Sequence, residues 1–226
     1  AAGGMKARLG RIVGDKVDDL WCGTFHSMCL RILRANAEAA GYKPGFTIYD
    51  DDDSKKVMAE AYSKFSINDK ILPVKTAKNV ISGAKDKLIT AEEFDADVDG
   101  DFKLQQISTI YTYYQSRLKE TNAVDFDDII MQTVFLFRNH PDILAKYQRQ
   151  FDYVLVDEFQ DTNHAQLELA LLLSGRSGNI MVVGDDDQSI YKFRGATIEN
   201  ILHFDEKVKN VKEIKLEQNY RSTEHI

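Results

Sequence analysis

An apolar run, Tyr153-Val154-Leu155-Val156, stops on two adjacent carboxylates, Asp157 and Glu158, and a third acid, Asp161, follows three residues on. Apolar residues without alternation predict a strand buried on both faces. The acid pair then sits at the carboxyl end of that strand, the edge where open α/β sheets bind ligands. Charge placed there is costly unless it meets a partner. A hydrated Mg²⁺ is one such partner, since it takes oxygens from one or two carboxylates and from phosphates. Adjacent acids also mark ordinary strand ends and helix starts, where the helix dipole favours them. The rest of the chain has to separate these readings.

Around that strand, hydrophobic periodicity divides the 226 residues into two kinds of territory. Residues 1–16 carry Met5, Leu9, Ile12 and Val13 at helical spacing, and Leu20-Trp21-Cys22 is a short strand candidate. Thr24 or Ser27 is placed to cap a helix bearing Met28, Cys29, Ile32 and Leu33, with Gly41 as its stop. From about residue 36 to 120 the pattern is helical with almost no strand. Asp51 to Phe65 form a helix with Val57, Met58, Ala61 and Tyr62 inward, and Pro73 starts another that runs to about Leu88. Thr90 and Glu93 fit a capping box. Leu104, Ile107, Tyr111, Tyr114 and Leu118 mark one long amphipathic helix.

After Asn122 the α/β character returns. Asp125 caps a helix whose buried stripe is Phe126, Ile129, Ile130, Thr133, Val134 and Phe137, and Pro141 begins a second helix that ends near Gln150. Beyond the acidic strand come a helix from Gln166 to Leu173, a buried strand from Ile180 to Val183, a helix from Thr197 to Phe204 and a last strand from Val211 to Leu216. The simplest architecture is α/β: a mostly parallel sheet with a helical domain inserted between the 20–22 strand and the acidic one.

Composition excludes several classes. No apolar run is long enough to span a membrane, and no secretory pattern opens the chain. Cys22 and Cys29 have no partner at metal-ligand spacing and read as small core residues in a reducing cytoplasm. The formal net charge of -7 argues against a bulk electrostatic grip on nucleic acid but leaves room for a local groove. Asp95-Ala96-Asp97-Val98-Asp99-Gly100 fits the first half of an EF-hand loop, yet the twelfth position is Gln106, which lacks the bidentate carboxylate. A solvated acidic loop is the preferred reading.

Four stretches stand in order: Gly23-Thr24-Phe25-His26-Ser27, the acidic stretch from Val156 to Thr162, Val183-Gly184-Asp185-Asp186-Asp187-Gln188-Ser189-Ile190-Tyr191-Lys192-Phe193-Arg194-Gly195-Ala196, and Leu216-Glu217-Gln218-Asn219-Tyr220-Arg221-Ser222-Thr223. Together they resemble motifs Ib, II, III and IV of the UvrD/Rep/PcrA family of ATP-dependent DNA helicases, in that family's order. Val124-Asp125-Phe126-Asp127-Asp128 resembles the point where the family's helical insertion rejoins its sheet. The resemblance implies a RecA-like P-loop NTPase sheet, incomplete at its N-terminus, with an inserted all-α subdomain. Residues 1–35 and 121–226 would form the motor domain and 36–120 the insertion.

The resemblance also implies roles. Phosphoryl transfer needs a metal, a positioned water and cations on the γ-phosphate. Asp157 would hold the Mg²⁺ shell as a Walker B acid, and Glu158 would polarise the attacking water of ATP hydrolysis. Gln188 would reach the γ-phosphate or that water, Arg221 would act as an arginine finger, and Tyr220 would stack on the adenine. Thr24 and His26 would contact DNA phosphates, and Tyr191 and Phe193 would offer rings to bases; many relatives carry tryptophan where Phe193 stands. Arg194 would link the nucleotide and DNA sites. Taken singly, these residues have plainer readings: a surface ion pair for an arginine, a cap or packed residue for His26, core anchors for the two loop aromatics.

The implied function is part of a helicase that couples Mg-ATP hydrolysis to 3′-to-5′ translocation on single-stranded DNA and to unwinding of partly duplex DNA, with repair or replication proteins as further partners. No GxxxxGK[ST] phosphate loop is present, so this chain alone is expected to hydrolyse ATP poorly. Two rivals remain. One is a non-catalytic DNA- or partner-binding module derived from a helicase. The other is a metal-dependent nuclease using Asp157, Glu158, Asp161 and Asp185, in which Tyr220 and Arg221 have no task.

Overall fold

The computed structural model describes residues 2–98, 100–185 and 199–218. Helix α1 (Ala2–Val13) leads into a 3-10 turn, Gly14–Asp19. Helix α2 (Phe25–Ala35) begins at Thr24, whose Oγ1 accepts the Ser27 N–H at 3.3 Å. The expected strand at 20–22 does not form. Among the described residues no strand lies alongside to take its backbone hydrogen bonds, and Trp21 instead packs edge-on against Tyr147 and Phe151 with the Arg31 guanidinium over its ring. Cys29 is buried and Cys22 only partly so; both are free thiols.

The middle of the chain is helical as its periodicity predicts: α3 (Asp51–Lys64), α4 (Val74–Asp86), α5 (Ala91–Asp97) and α6 (Phe102–Glu120). Asp50 caps α3 and the Thr90–Glu93 capping box opens α5, both filling N–H groups that a helix leaves unpaired. Val57, Met58, Ala61 and Tyr62 meet Ile81, Ile107, Tyr111, Tyr114 and Leu118 in one core. Leu104, expected inward, is exposed because the first turn of α6 projects past that core. A two-residue parallel ladder, β1 (Thr47–Ile48) with β2 (Ala123–Val124), closes the base of the module. Asp95 and Asp97 are helical within α5, and Asp101 caps α6, so these acids do not lie along one open loop. Asp99 lies outside the described residues.

Helices α7 (Phe126–Asn139) and α8 (Pro141–Gln150) pack with α2 and α9 (His164–Ser174) in a second core built on Leu33, Phe46, Val134, Phe137, Tyr147 and Leu169. Strands β3 (Val154–Val156) and β4 (Ile180–Val182) run parallel with Val154 opposite Ile180 and Val156 opposite Val182, and α9 is the crossover between them. Their covered face meets Phe159, Leu167, Ala170 and Phe204 in a third core.

The β3 strand is not buried on both faces. Tyr153, which precedes it, and Leu155 are each 70% exposed, and Met181 on the neighbouring strand and Val183 just after it are exposed too. The pleat sends alternate side chains to opposite faces, and among the described residues only one face of this sheet is covered by helix. A uniformly apolar run hides that alternation. The chain then forms two short helices, α10 (Glu199–Leu202) and α11 (Phe204–Lys207), split at His203. Residues 211–218 are irregular, not the expected strand, and Ile214 and Leu216 are exposed with no neighbouring strand among the described residues. No described helix is long and apolar enough to cross a membrane.

Candidate functional site

The acidic stretch is built by an abrupt change of backbone. Strand β3 hands its ladder on through Val183 N–H to Val156 O (2.8 Å) and Phe159 N–H to Val183 O (2.9 Å). Between these bonds Glu158 takes a left-handed conformation, φ 52° and ψ 43°. That conformation costs a non-glycine residue roughly 1–2 kcal/mol, and such strain concentrates at functional sites. It swings the chain out of the strand into a 3-10 turn, Phe159–Asp161, anchored by the fully buried Phe159 ring. Asp157 and Glu158 are left exposed at the strand's carboxyl end.

Each acid has a distinct setting. Asp157, itself exposed, accepts the Glu158 N–H through Oδ1 at 3.0 Å. Glu158 Oε2 accepts from Gln160 Nε2 at 2.8 Å. Asp161 Oδ1 is shut from solvent with no hydrogen-bond partner among the described residues; desolvation and then the Glu158 charge push its carboxyl above the ordinary range. Among the described residues neither Asp157 nor Glu158 pairs with a cation. Nor do the described residues gather three or more metal-ligating side chains. That donor set fits a hydrated Mg²⁺ held by one carboxylate and completed by water and phosphate oxygens.

The second region is the start of α2. Thr24 is its cap and His26 lies in its first turn, with Phe25 between them packed against the second and third cores. Burial lowers the His26 pKa below 6.5, against the raising effects of Asp127 and the Phe126 backbone. Phe126 was expected in the buried stripe of α7. It is 55% exposed, and its ring meets His26 edge-on at 6.0 Å between centroids. As the first residue of α7 it projects beyond the helix pair, while Ile129, Ile130, Val134 and Phe137 turn inward as predicted. An exposed ring beside a helix start is a surface on which a base can stack.

A third cluster joins the helical module to α7. Lys85 Nζ, fully buried, donates to Asp125 Oδ2 at 2.7 Å and to Asp128 Oδ1 at 2.9 Å. Tyr114 Oη donates to the same Asp125 oxygen at 3.0 Å. Desolvation opposes the Lys85 charge, but the two carboxylates outweigh it and hold the amine well above its ordinary value. Asp128, pushed by burial and by Asp125, rises to about 6. Asp125 and Asp128 also complete the capping box of α7. Beside them Asn163 Nδ2 donates to Asp86 Oδ1 at 2.5 Å, and burial with the nearby Asp127 raises the Asp86 carboxyl to about 7. The sequence signal was Lys85 itself, in phase with the apolar Ala77, Ile81 and Ala84 on one face of α4.

Gln188, Tyr191, Phe193, Arg194, Tyr220 and Arg221 lie outside the described residues. The structure places Asp157 and Glu158 together, and Thr24 with His26.

Comparison with known proteins agrees with the motif order. The UvrD/REP helicase N-terminal domain model matches residues 1–209. The chain is 45% identical over its full 226 residues to a protein of Staphylococcus epidermidis called ATP-dependent DNA helicase PcrA. It is 43% identical over the same span to the like-named protein of Staphylococcus aureus. In both cases it covers 31% of the relative's length.

Proposed function

The chain belongs to the UvrD/REP helicase family, and on that premise we propose that it forms part of the first motor domain of an ATP-dependent DNA helicase. In this reading residues 1–35 and 121–226 belong to a RecA-like motor domain, and residues 36–120 are its all-α insertion. The carrying observation is the acid pair: Asp157 and Glu158 stand exposed at the carboxyl end of a parallel strand, with no cation paired to either among the described residues, and Glu158 takes a left-handed backbone.

Asp157 would hold the water shell of Mg²⁺ through its carboxylate. The ion supplies charge neutralisation on the β- and γ-phosphates when bound. Glu158 accepts a proton from the water that attacks the γ-phosphorus. Gln188 senses the γ-phosphate, Arg221 stabilises its transition-state charge and Tyr220 stacks on adenine. The DNA strand runs over Thr24 and His26, with Tyr191, Phe193 and the exposed Phe126 as stacking surfaces and Arg194 between the two sites. By itself the chain turns over ATP poorly, since it carries no phosphate loop sequence.

Unwinding by the full-length polypeptide that carries this chain tests the reading. A partial duplex with a 3′ single-stranded tail is expected to be opened in an ATP-dependent way. Opening only of the 5′-tailed duplex would contradict the polarity, and opening of neither would contradict the motor.

A further inference from the structure

Gln160 is two residues beyond Glu158 and almost fully buried. Both ends of its amide are committed. Nε2 donates to Glu158 Oε2 at 2.8 Å, and Oε1 accepts the backbone N–H of Asp185 at 3.0 Å. The amide cannot be reversed: a carboxylate can only accept and a backbone N–H can only donate, so one orientation satisfies both. The side chain therefore spans from the carboxylate after β3 to the backbone after β4. Gly184 leaves room for it. A Cβ at Gly184 would lie 2.7 Å from Gln160 Oε1 and 2.8 Å from Ile201 Cδ1, closer than any side chain tolerates.

We propose that Gln160 is a positioning residue that fixes the Glu158 carboxylate for its work on the attacking water and ties that carboxylate to the chain leaving β4 at Asp185. The inference rests on the motor reading above. Glu158 is exposed and sits on a strained backbone, so its own surroundings leave its side chain free to rotate; the Gln160 donor removes that freedom. The same amide grips Asp185, three residues before Gln188. Gln160 acts through Glu158, and its effect appears in turnover and not in nucleotide binding.

The test is steady-state ATP hydrolysis by the full-length polypeptide, with and without single-stranded DNA, for wild type, Glu158→Gln, Gln160→Met, Gln160→Glu and the Glu158→Gln/Gln160→Met pair. Gln160→Met keeps the buried volume and loses both bonds. Gln160→Glu keeps an acceptor for the Asp185 amide and loses the donor to Glu158. The expected result is a fall in kcat of about 10- to 100-fold in both Gln160 variants, with KM for ATP within about threefold of wild type. The paired variant is expected to be no slower than Glu158→Gln alone, because residues acting as one unit are not additive. If Gln160→Met is too unstable to assay, Gln160→Glu carries the comparison by itself. Wild-type turnover in either Gln160 variant, or losses that multiply in the pair, overturns the positioning role while the motor reading stands. A Glu158→Gln protein as active as wild type overturns both.

Discussion

Two acidic clusters in this chain meet opposite fates. At the joint between the helical module and α7, Asp125 and Asp128 close on the buried Lys85 and are bonded by Tyr114 and the α7 backbone. At the end of β3, Asp157 and Glu158 stand exposed, and among the described residues no cation answers them. The joint holds its carboxylates in bonds inside the fold. The strand end keeps its charge available, accepts the cost of a left-handed residue, and is supported from beneath by the buried Phe159 and Gln160. In the proposed motor reading, structural and chemical carboxylates are told apart by what neutralises them.

The largest effect expected from this contrast is at the strand end. Asp157→Ala should cut Mg-dependent ATP turnover of the full-length polypeptide by on the order of a thousandfold while leaving the melting temperature within a degree or two. A large loss of stability would place Asp157 with the structural acids. Lys85→Met reverses the pattern. Leaving two buried carboxylates without their cation should destabilise the fold by about 3–5 kcal/mol, read as a shift in the denaturant midpoint; an unchanged midpoint would deny the joint its structural role.

Asp86, at the margin of the joint, sharpens the contrast through pH. Its folded pKa of about 7 lies above the ordinary 3.8, so the folded state holds a proton that the unfolded state releases. Its contribution to stability is therefore greatest below about pH 4, declines as pH rises, and is lost above about pH 7. Asp86→Asn should accordingly raise stability at pH 8 by on the order of 2 kcal/mol, and give little gain at pH 4 to 5. A gain of equal size at both pH values would remove ionisation as the cause. The smallest effect concerns the exposed Phe126. Phe126→Ala should weaken single-stranded DNA binding by about 1 kcal/mol, roughly fivefold, with almost no change in stability. A stability loss of several kcal/mol would return Phe126 to the core.

The helical module was legible in detail because its signals are local. Val57, Met58, Ala61 and Tyr62 repeat with the helical period, and Thr90 with Glu93 announces a cap. The sheet was legible only in part. Leu155 and Val156 look alike in the sequence, yet one is exposed and the other buried, since which face is covered depends on distant elements. The strands expected at 20–22 and 211–216 failed for the same reason: a strand needs a neighbour, and its own residues do not disclose one. Asp157 and Glu158 stood out as charge breaking an apolar run. Gln160 did not, because a glutamine beside two acids looks like one more polar residue until Asp185 is brought up against it from 25 residues away.

The most direct measurement is ATP hydrolysis by the full-length polypeptide, wild type against Glu158→Gln, with and without single-stranded DNA, alongside nucleotide binding by the variant. Turnover that DNA stimulates, and that collapses in Glu158→Gln while nucleotide still binds, is the predicted result. DNA-independent turnover, or a Glu158→Gln protein as fast as wild type, would contradict the claim that the exposed acids at the end of β3 carry the chemistry.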